Sequence, residues 1–571
     1  MPAFYLIVIA LGAFYLGYRF YSRYLAEKVY ALDPKFQTPA HSMRDGVDFV
    51  PTNKSILLGH HFTSVAGAAP IVGPAIAVYW GWLPALTWVV LGTVFAAGVH
   101  DFGSIVVSAR NRGQNIGTLS GKVVTARAST LFLLIIFFLL TLVNAVFGVV
   151  MAILFQSHPG AVIPALVVIP IAIFIGQWAY RQGRAILIPS LIGLLILYAS
   201  IPVGQAFPIH VDGLADLIGL SNRTTWIVLI FAYTWIASRL PVWILLQPRD
   251  YINGQQLIVA LVVIFLGVLV GWDHIAAPAV NGNIAADSPH WFPYLFITIA
   301  CGAISGFHCM VASGTTSKQL DNETDARYVG YGGALGEGAL ALAAILACTA
   351  GLGASSDWAA AYSDYGAASG GALGHFVTGT GHFVANLGIP ASLGATFAVV
   401  VVVTFAGTTM DTGVRLQRYI LQEIGELAGF KALVGRVNLL TTLAVLIPLG
   451  LALVPGGEDA GGKGFAFGHL WTLFGTTNQL TAGLALSVIG VWVMARNRNP
   501  LAALIPLVFL LFMTTWALLQ NIGDFFTKGD WLLLALDAAI FVLAAWLVVE
   551  AFTAFNRERQ RIRNGGAAER S

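Results

Sequence analysis

Six side chains able to hold a proton, a metal or an anion sit inside apolar stretches of this 571-residue chain: His61, His100, Asp101, Arg239, His308 and Glu337. Imidazoles and carboxylates in such places relay protons or take up cations. An intramembrane guanidinium stays charged and needs an anion beside it. For Arg239 that anion is Asp101 or Glu337 held permanently, or a substrate carboxylate in transit. Glu337 reads equally as a neutral, hydrogen-bonded acid or as a carrier of the coupling proton. His61, His100, Asp101 and His308 could instead converge on a divalent metal, since imidazole and carboxylate suit zinc, although no HExxH-type pair supports it. A single histidine in a packed helix more often bonds a neighbouring carbonyl, and His60 reads as a residue flanking a helix start.

The stretches that carry these groups are unusual for apolar segments. Residues 59–74, GHHFTSVAGAAPIVGP, place Thr63, Ser64, Gly67 and Pro70 at the start of a hydrophobic run. Lipid cannot satisfy a freed carbonyl or solvate an imidazole, so such a run spans a membrane only when protein or a water-filled cavity surrounds it. In residues 233–243, Pro241 removes a backbone hydrogen bond just after Ser238 and Arg239. Residues 305–318 bring Ser313, Thr315 and Thr316 to the end of their run. Hydroxyls and unwound carbonyls suit a desolvated cation or carboxylate. The plainer explanation is close helix packing through small residues.

Composition sets the class in which these groups must work. Hydrophobic residues make up 57% of the chain, charged residues 10%, and the mean hydropathy is +0.78. That defines an all-α polytopic membrane protein. A net charge of +3 offers nothing to nucleic acid. Cys301, Cys309 and Cys348 lie in apolar segments without CxxC spacing, so neither a disulfide frame nor a zinc finger is indicated. The first apolar run reads as a retained helix and not a cleaved signal.

About fifteen runs reach the roughly 20 residues a bilayer requires. With the N-terminus outside and the C-terminus cytoplasmic, the inner connections collect all of the 30 Lys and Arg except Arg223, Lys463, Lys528 and Arg239. On this topology the six ionisable groups share one slab, roughly 5 to 9 Å to the cytoplasmic side of the bilayer centre. The outer connections, among them 354–388, read as exposed loops, of which that one could dip back as a lid. The arginine-rich tail reads as a solvated end leaning on anionic headgroups.

GHHFTSVAGAAPIVGPAIAVYWGWLPAL from Gly59, VHDF at 99–102, LPVWILLQPRDY at 240–251, SGFHCMVASGTTSKQL at 305–320 and LWTLFGTTNQLTAGLAL at 470–486 together resemble the carbon starvation protein A (CstA) family. The resemblance covers most of the chain, which looks shorter at its C-terminal side than long members. It implies an inner-membrane secondary transporter for pyruvate or peptides with a LeuT/APC-like core of two inverted five-helix repeats. The implied division is a peripheral helix and linker at 1–54, repeats at 55–204 and 224–413, peripheral helices at 437–553 and a basic tail at 554–571. The second and seventh spans would then be the broken elements, with a pairing of the second and ninth as the competing register.

The expected mechanism is uptake of a small carboxylate by alternating access. The anion binds near Gly67–Pro70 and Ser238–Pro241, with Thr63 and Ser64 in the lining and Arg239 as anchor. One or more of His61, His100, Asp101, His308 and Glu337 takes the coupling proton, with Ser313, Thr315 and Thr316 completing a proton or cation site. A proton is favoured over sodium, no cofactor is required and a divalent metal is the alternative. The partners are a carboxylate or peptide, the bilayer and a possible second copy of the chain. Peptide uptake, an intramembrane metalloenzyme and a nutrient receptor are the other functions that fit.

Overall fold

The computed structural model describes the chain apart from residues 47, 182–184, 286–287, 431–434, 455–464 and 565–571, so the expectations for Lys463 and for the end of the basic tail lie outside the described residues. It is all-helical. Eleven helices are each long and apolar enough to cross a membrane, and two bent pairs raise that to thirteen. Val437–Ala452 and the interrupted segment 291–319 account for the rest of the expected runs.

In chain order the helices are α1 (Phe4–Val29), α2a (Lys54–Ala66), α2b (Ala69–Trp80), α3 (Trp82–Ala109), α4 (Ala126–Ser157), α5 (Pro159–Ala179), α6 (Leu187–Ala206), α7 (Asn222–Ala237) and α8 (Leu246–Gly271). Then come α9a (Trp291–Thr298), α9b (306–319), α10 (Arg327–Thr349), α11 (Tyr365–Asn386), α12 (Ala391–Leu427), α13 (Val437–Ala452), α14 (Phe465–Ala495), α15 (Leu501–Lys528) and α16 (Trp531–Arg563). The end of the bundle that carries Arg110, Arg327 and Arg418 is the basic end; the other is the far end.

Two helices are broken, each at a glycine with positive φ. Asn53 caps α2a by accepting from the Ser55 amide, and the helix runs to Gly67, whose φ of +40° ends it. A Cβ there would lie 2.7 Å from Phe147. Pro70 starts α2b, where a missing N–H costs nothing, and the two halves meet at 47°. The second break, 299–305, holds Gly302 at φ +90° with Ala341 2.6 Å from any added Cβ. Its freed backbone is satisfied from α14. Asn478 donates to the Ala300 carbonyl at 2.9 Å and accepts from the Phe307 amide at 2.9 Å, while Gln479 donates to Phe296 and Ile299.

The seventh span does not break at Ser238–Pro241; its bend, of 92°, lies before it, between Asp212–Ile218 and Asn222–Ala237. α7 is continuous to Ala237, and Ser238–Pro241 forms a turn beyond it, because the residues before a proline leave the helical region. Around the breaks, α2, α3, α9 and α10 pack together, and α4, α7, α12 and α13 form a second group. α12 lies antiparallel on α4 through Asn144 to Gln417 and Gln417 to Thr141, at 2.9 and 2.8 Å. α8 packs on α2a where Gly254 faces Gly59, and α14 packs on α9b. Each of α2, α3, α4, α7 and α8 thus has an oppositely directed counterpart in α9, α10, α12, α13 and α14. The pair α5–α6 lies between α4 and α7 in the chain and packs on α8. α1, α5, α6, α15 and α16 line the outside with exposed apolar side chains such as Phe174, Leu195, Val508 and Phe552.

The segment 354–388, expected as loop, contains α11. Asp364 caps it by accepting from the Ala367 amide at 2.8 Å. Tyr365 packs on Tyr79 and Trp80 at the far end of α2b, and Asn386 donates to Asp273 beyond the far end of α8 at 2.8 Å. Both ends of α11 lie at the far end of the bundle, and the helix crosses over α2b and α10 on one side and α8 and α12 on the other. Its Gly, Ala and Ser content hides it from hydropathy and lets it lie close. A Cβ at Gly379 would fall inside the Ala347 carbonyl oxygen. Gly379→Leu is expected to lift α11, lowering stability by about 1–3 kcal/mol, as read by the melting temperature.

Candidate functional site

Two buried polar clusters flank the α2 break. The first joins α3, α9b and α10. Asp101 accepts from His100 Nδ1 at 2.7 Å through one carboxylate oxygen and from His308 Nδ1 at 2.8 Å through the other. The far nitrogen of His308 faces Glu337 Oε1 at 3.3 Å. His100, Asp101 and His308 are fully buried and Glu337 is 1% exposed. His61 stands beside them on α2a, bonded through Nδ1 to Thr316 at 2.9 Å and seated on Gly333 of α10. The slab of acid–base groups thus gathers three of its members, His100, Asp101 and His308, into one hydrogen-bonded chain, with Glu337 facing its end and His61 alongside. The expected metal quartet does not form among the described residues. His100 and His308 both direct Nδ1 to Asp101, and His61 turns to Thr316.

Arg239 is outside this assembly. It lies in the turn after α7, exposed, with its guanidinium 4.5 Å from the Trp235 ring centroid. Such a stack contributes about 0.5–1 kcal/mol. Arg239→Ala is therefore expected to leave carboxylate uptake within about twofold of wild type; a loss beyond tenfold would return Arg239 to the site. Ser238 is buried, its hydroxyl on the Trp235 carbonyl at 3.3 Å, and Pro241 belongs to the same turn. Ser313 and Thr315 donate to the backbone of their own helix at Cys309 and Val311. Thr63 donates to Gly59 at 2.7 Å and Asp250 at 3.1 Å, while the buried Ser64 hydroxyl has no partner among the described residues. Pro70 touches Gly302, bringing the two breaks into contact.

A buried arginine, Arg249, belongs to the second cluster. α8 begins at Leu246, not near 254, so the QPRDY stretch that reads as a cytoplasmic connection enters the protein. Arg249 is 3% exposed; its Nη1 donates to Asp411 of α12 at 2.5 Å and to the Tyr233 hydroxyl of α7 at 2.7 Å. Asp250 accepts from His60 Nδ1 at 2.8 Å and stands 3.8 Å from Arg249 Nη2. Arg249 Nε and Nη2, Asp250 Oδ1, Asp411 Oδ1 and His60 Nε2 have no hydrogen-bond partner among the described residues. Nε and Nη2 form the side-on edge of the guanidinium, two parallel donors matched to a carboxylate.

Broken helices meeting at buried polar clusters inside an all-helical bundle of many candidate membrane spans fit a multi-span membrane transporter. The family comparison says which. The carbon starvation protein CstA model matches residues 2–354 and 352–517, and the chain belongs to that family. The chain is 33% identical to the peptide transporter CstA of Campylobacter jejuni, over 91% of this chain and 80% of that one. It is 32% identical to the pyruvate/proton symporter BtsT of Escherichia coli, over 91% and 81%. Among solved structures it is similar to the Eremococcus coleocola manganese transporter, with a TM-score of 0.48 at 11% identity over 90% of this chain and 99% of that one. A second similarity is to MhsT in complex with L-phenylalanine, with a TM-score of 0.48 at 13% identity over 88% and 98%.

Proposed function

We propose that this chain imports a small carboxylate, pyruvate first, across the inner membrane together with protons. The observation that carries this reading is the side-on edge of Arg249, buried beside Asp411 and Asp250, whose Nε and Nη2 have no hydrogen-bond partner among the described residues. One guanidinium set against two carboxylates leaves the cluster net negative until a proton is bound. An arriving anion is repelled in that state and accepted once Asp411, Asp250 or His60 takes up a proton. Proton and anion therefore load together, and an inside-negative potential no longer opposes entry of the pair. The basic end is cytoplasmic in this reading, the N-terminus outside and the C-terminus inside, which puts the α11 lid on the outer face. Rocking of α2, α3, α9 and α10 against α4, α7, α12 and α13 opens the site to each side in turn.

The relative named as a pyruvate/proton symporter supports the substrate and the ion; those named as peptide transporters make peptides the competing cargo. The test is uptake of labelled pyruvate and of a labelled dipeptide by purified protein in vesicles under imposed proton or sodium gradients. Pyruvate accumulation driven by an inward proton gradient is expected. Accumulation of dipeptide alone, or dependence on sodium alone, would overturn this reading.

A further inference from the structure

The Arg249 cluster leaves the donors around the α9 break unused. Cys301 lies in the non-helical stretch between α9a and α9b, His308 on the first turn of α9b and Glu337 on α10. One ligand atom from each, the sulfur, an imidazole nitrogen and a carboxylate oxygen, lies within 4.8 Å of the other two, and all three side chains are buried. We propose that Cys301, His308 and Glu337 form a site for one thiophilic divalent cation of the zinc class.

The geometry suits that ion. Ligands about 2.0–2.3 Å from zinc stand roughly 3.3–3.8 Å apart in a tetrahedron. His308 Nε2 and Glu337 Oε1 are already 3.3 Å apart. A shift of about 1 Å brings the sulfur into place. His308 Nε2 and Glu337 Oε1 are both buried without a hydrogen-bond partner among the described residues.

The surroundings prepare the imidazole. His308 donates Nδ1–H to Asp101, which leaves the Nε2 lone pair for a metal, and Asp101 is fixed in turn by His100. A carboxylate behind a metal-binding histidine sets its tautomer and raises its basicity. Charge is balanced as well. A thiolate and a carboxylate cancel a dication, so the loaded centre is neutral in a region of low dielectric. Binding releases the thiol proton and whichever proton His308 and Glu337 hold between them. The other two cysteines serve as controls, since Cys309 donates to the Gly306 carbonyl within its helix and Cys348 lies well along α10.

The experiment uses the purified full-length chain, stripped with a chelator and titrated with Co²⁺, then with Zn²⁺. One equivalent of cobalt is expected, with a thiolate-to-metal charge-transfer band. X-ray absorption of the zinc form should show one sulfur among lighter donors. Cys301→Ser should abolish the band, while Cys309→Ser and Cys348→Ser keep it. Should Cys301→Ser fail to fold, Asp101→Asn leaves every ligand in place and is expected to weaken binding about 10–100-fold. The proposal is overturned by a wild-type titration without the band, by a band that survives Cys301→Ser, or by bound zinc without sulfur. None of these results bears on pyruvate binding at Arg249.

Discussion

Arg249→Lys is expected to lower carboxylate uptake about 10–100-fold while the protein still folds. Lysine keeps the charge near Asp411 but lacks the side-on pair of donors, and a charge-assisted hydrogen bond contributes about 1.5–3 kcal/mol. Arg249→Ala goes further. It leaves Asp411 and Asp250 buried without their cation, and breaking such a pair costs about 3–5 kcal/mol of stability. The two variants therefore separate binding from folding. Initial uptake rates in vesicles and melting temperatures in detergent provide the measurements. Wild-type uptake by a well-folded Arg249→Lys variant would remove Arg249 as the anion anchor.

The cluster of His61, His100, Asp101, His308 and Glu337 is legible in the amino-acid sequence, but the Arg249 cluster is not. The slab that unites His61, His100, Asp101, His308 and Glu337 follows from hydropathy and helical rise alone, because each stands at a countable distance from the end of a clearly apolar run. Arg239 and Arg249 show where that method stops. Pro241 follows Arg239 in a stretch that hydropathy assigns to a span, whereas the chain turns there and the side chain stacks on Trp235. Arg249, Asp250 and Asn253 are polar enough to read as a connection, yet with Gln256 they form a buried stretch of helix. Their partners explain why. His60 meets Asp250, Asp411 meets Arg249, and Thr408 and Thr404 meet Asn253 and Gln256, all across long sequence separations. Asp411 was the available signal, an acid inside an apolar run that demands a cation nearby.

The same reasoning accounts for the fold. The break at Gly67–Pro70 is written locally, in a glycine and a proline. The break at 299–305 depends on Asn478 and Gln479, side chains from a helix far along the chain that replace its lost hydrogen bonds. α11 escapes for the opposite reason. Lying across the far end, it needs no apolar run, only small residues that let it approach α10 and α12.

Asp411→Asn is expected to separate transport from its driving force. In the wild type, uptake is expected to rise as the external pH falls, because on the proposed mechanism the cluster accepts an anion only once one of its acids is protonated. Asparagine imitates the protonated acid at all pH values and leaves Arg249 its Tyr233 contact. Exchange of labelled for unlabelled pyruvate should therefore persist within about tenfold of wild type, a change of about 1.4 kcal/mol at most. Accumulation driven by a proton gradient should vanish, and the pH profile of exchange should flatten. A variant that still concentrates pyruvate under a pH gradient would move the coupling proton away from Asp411. Asp250→Asn, which frees His60 from its partner, then becomes the decisive substitution, since those two are the remaining titratable groups of that cluster able to take the proton.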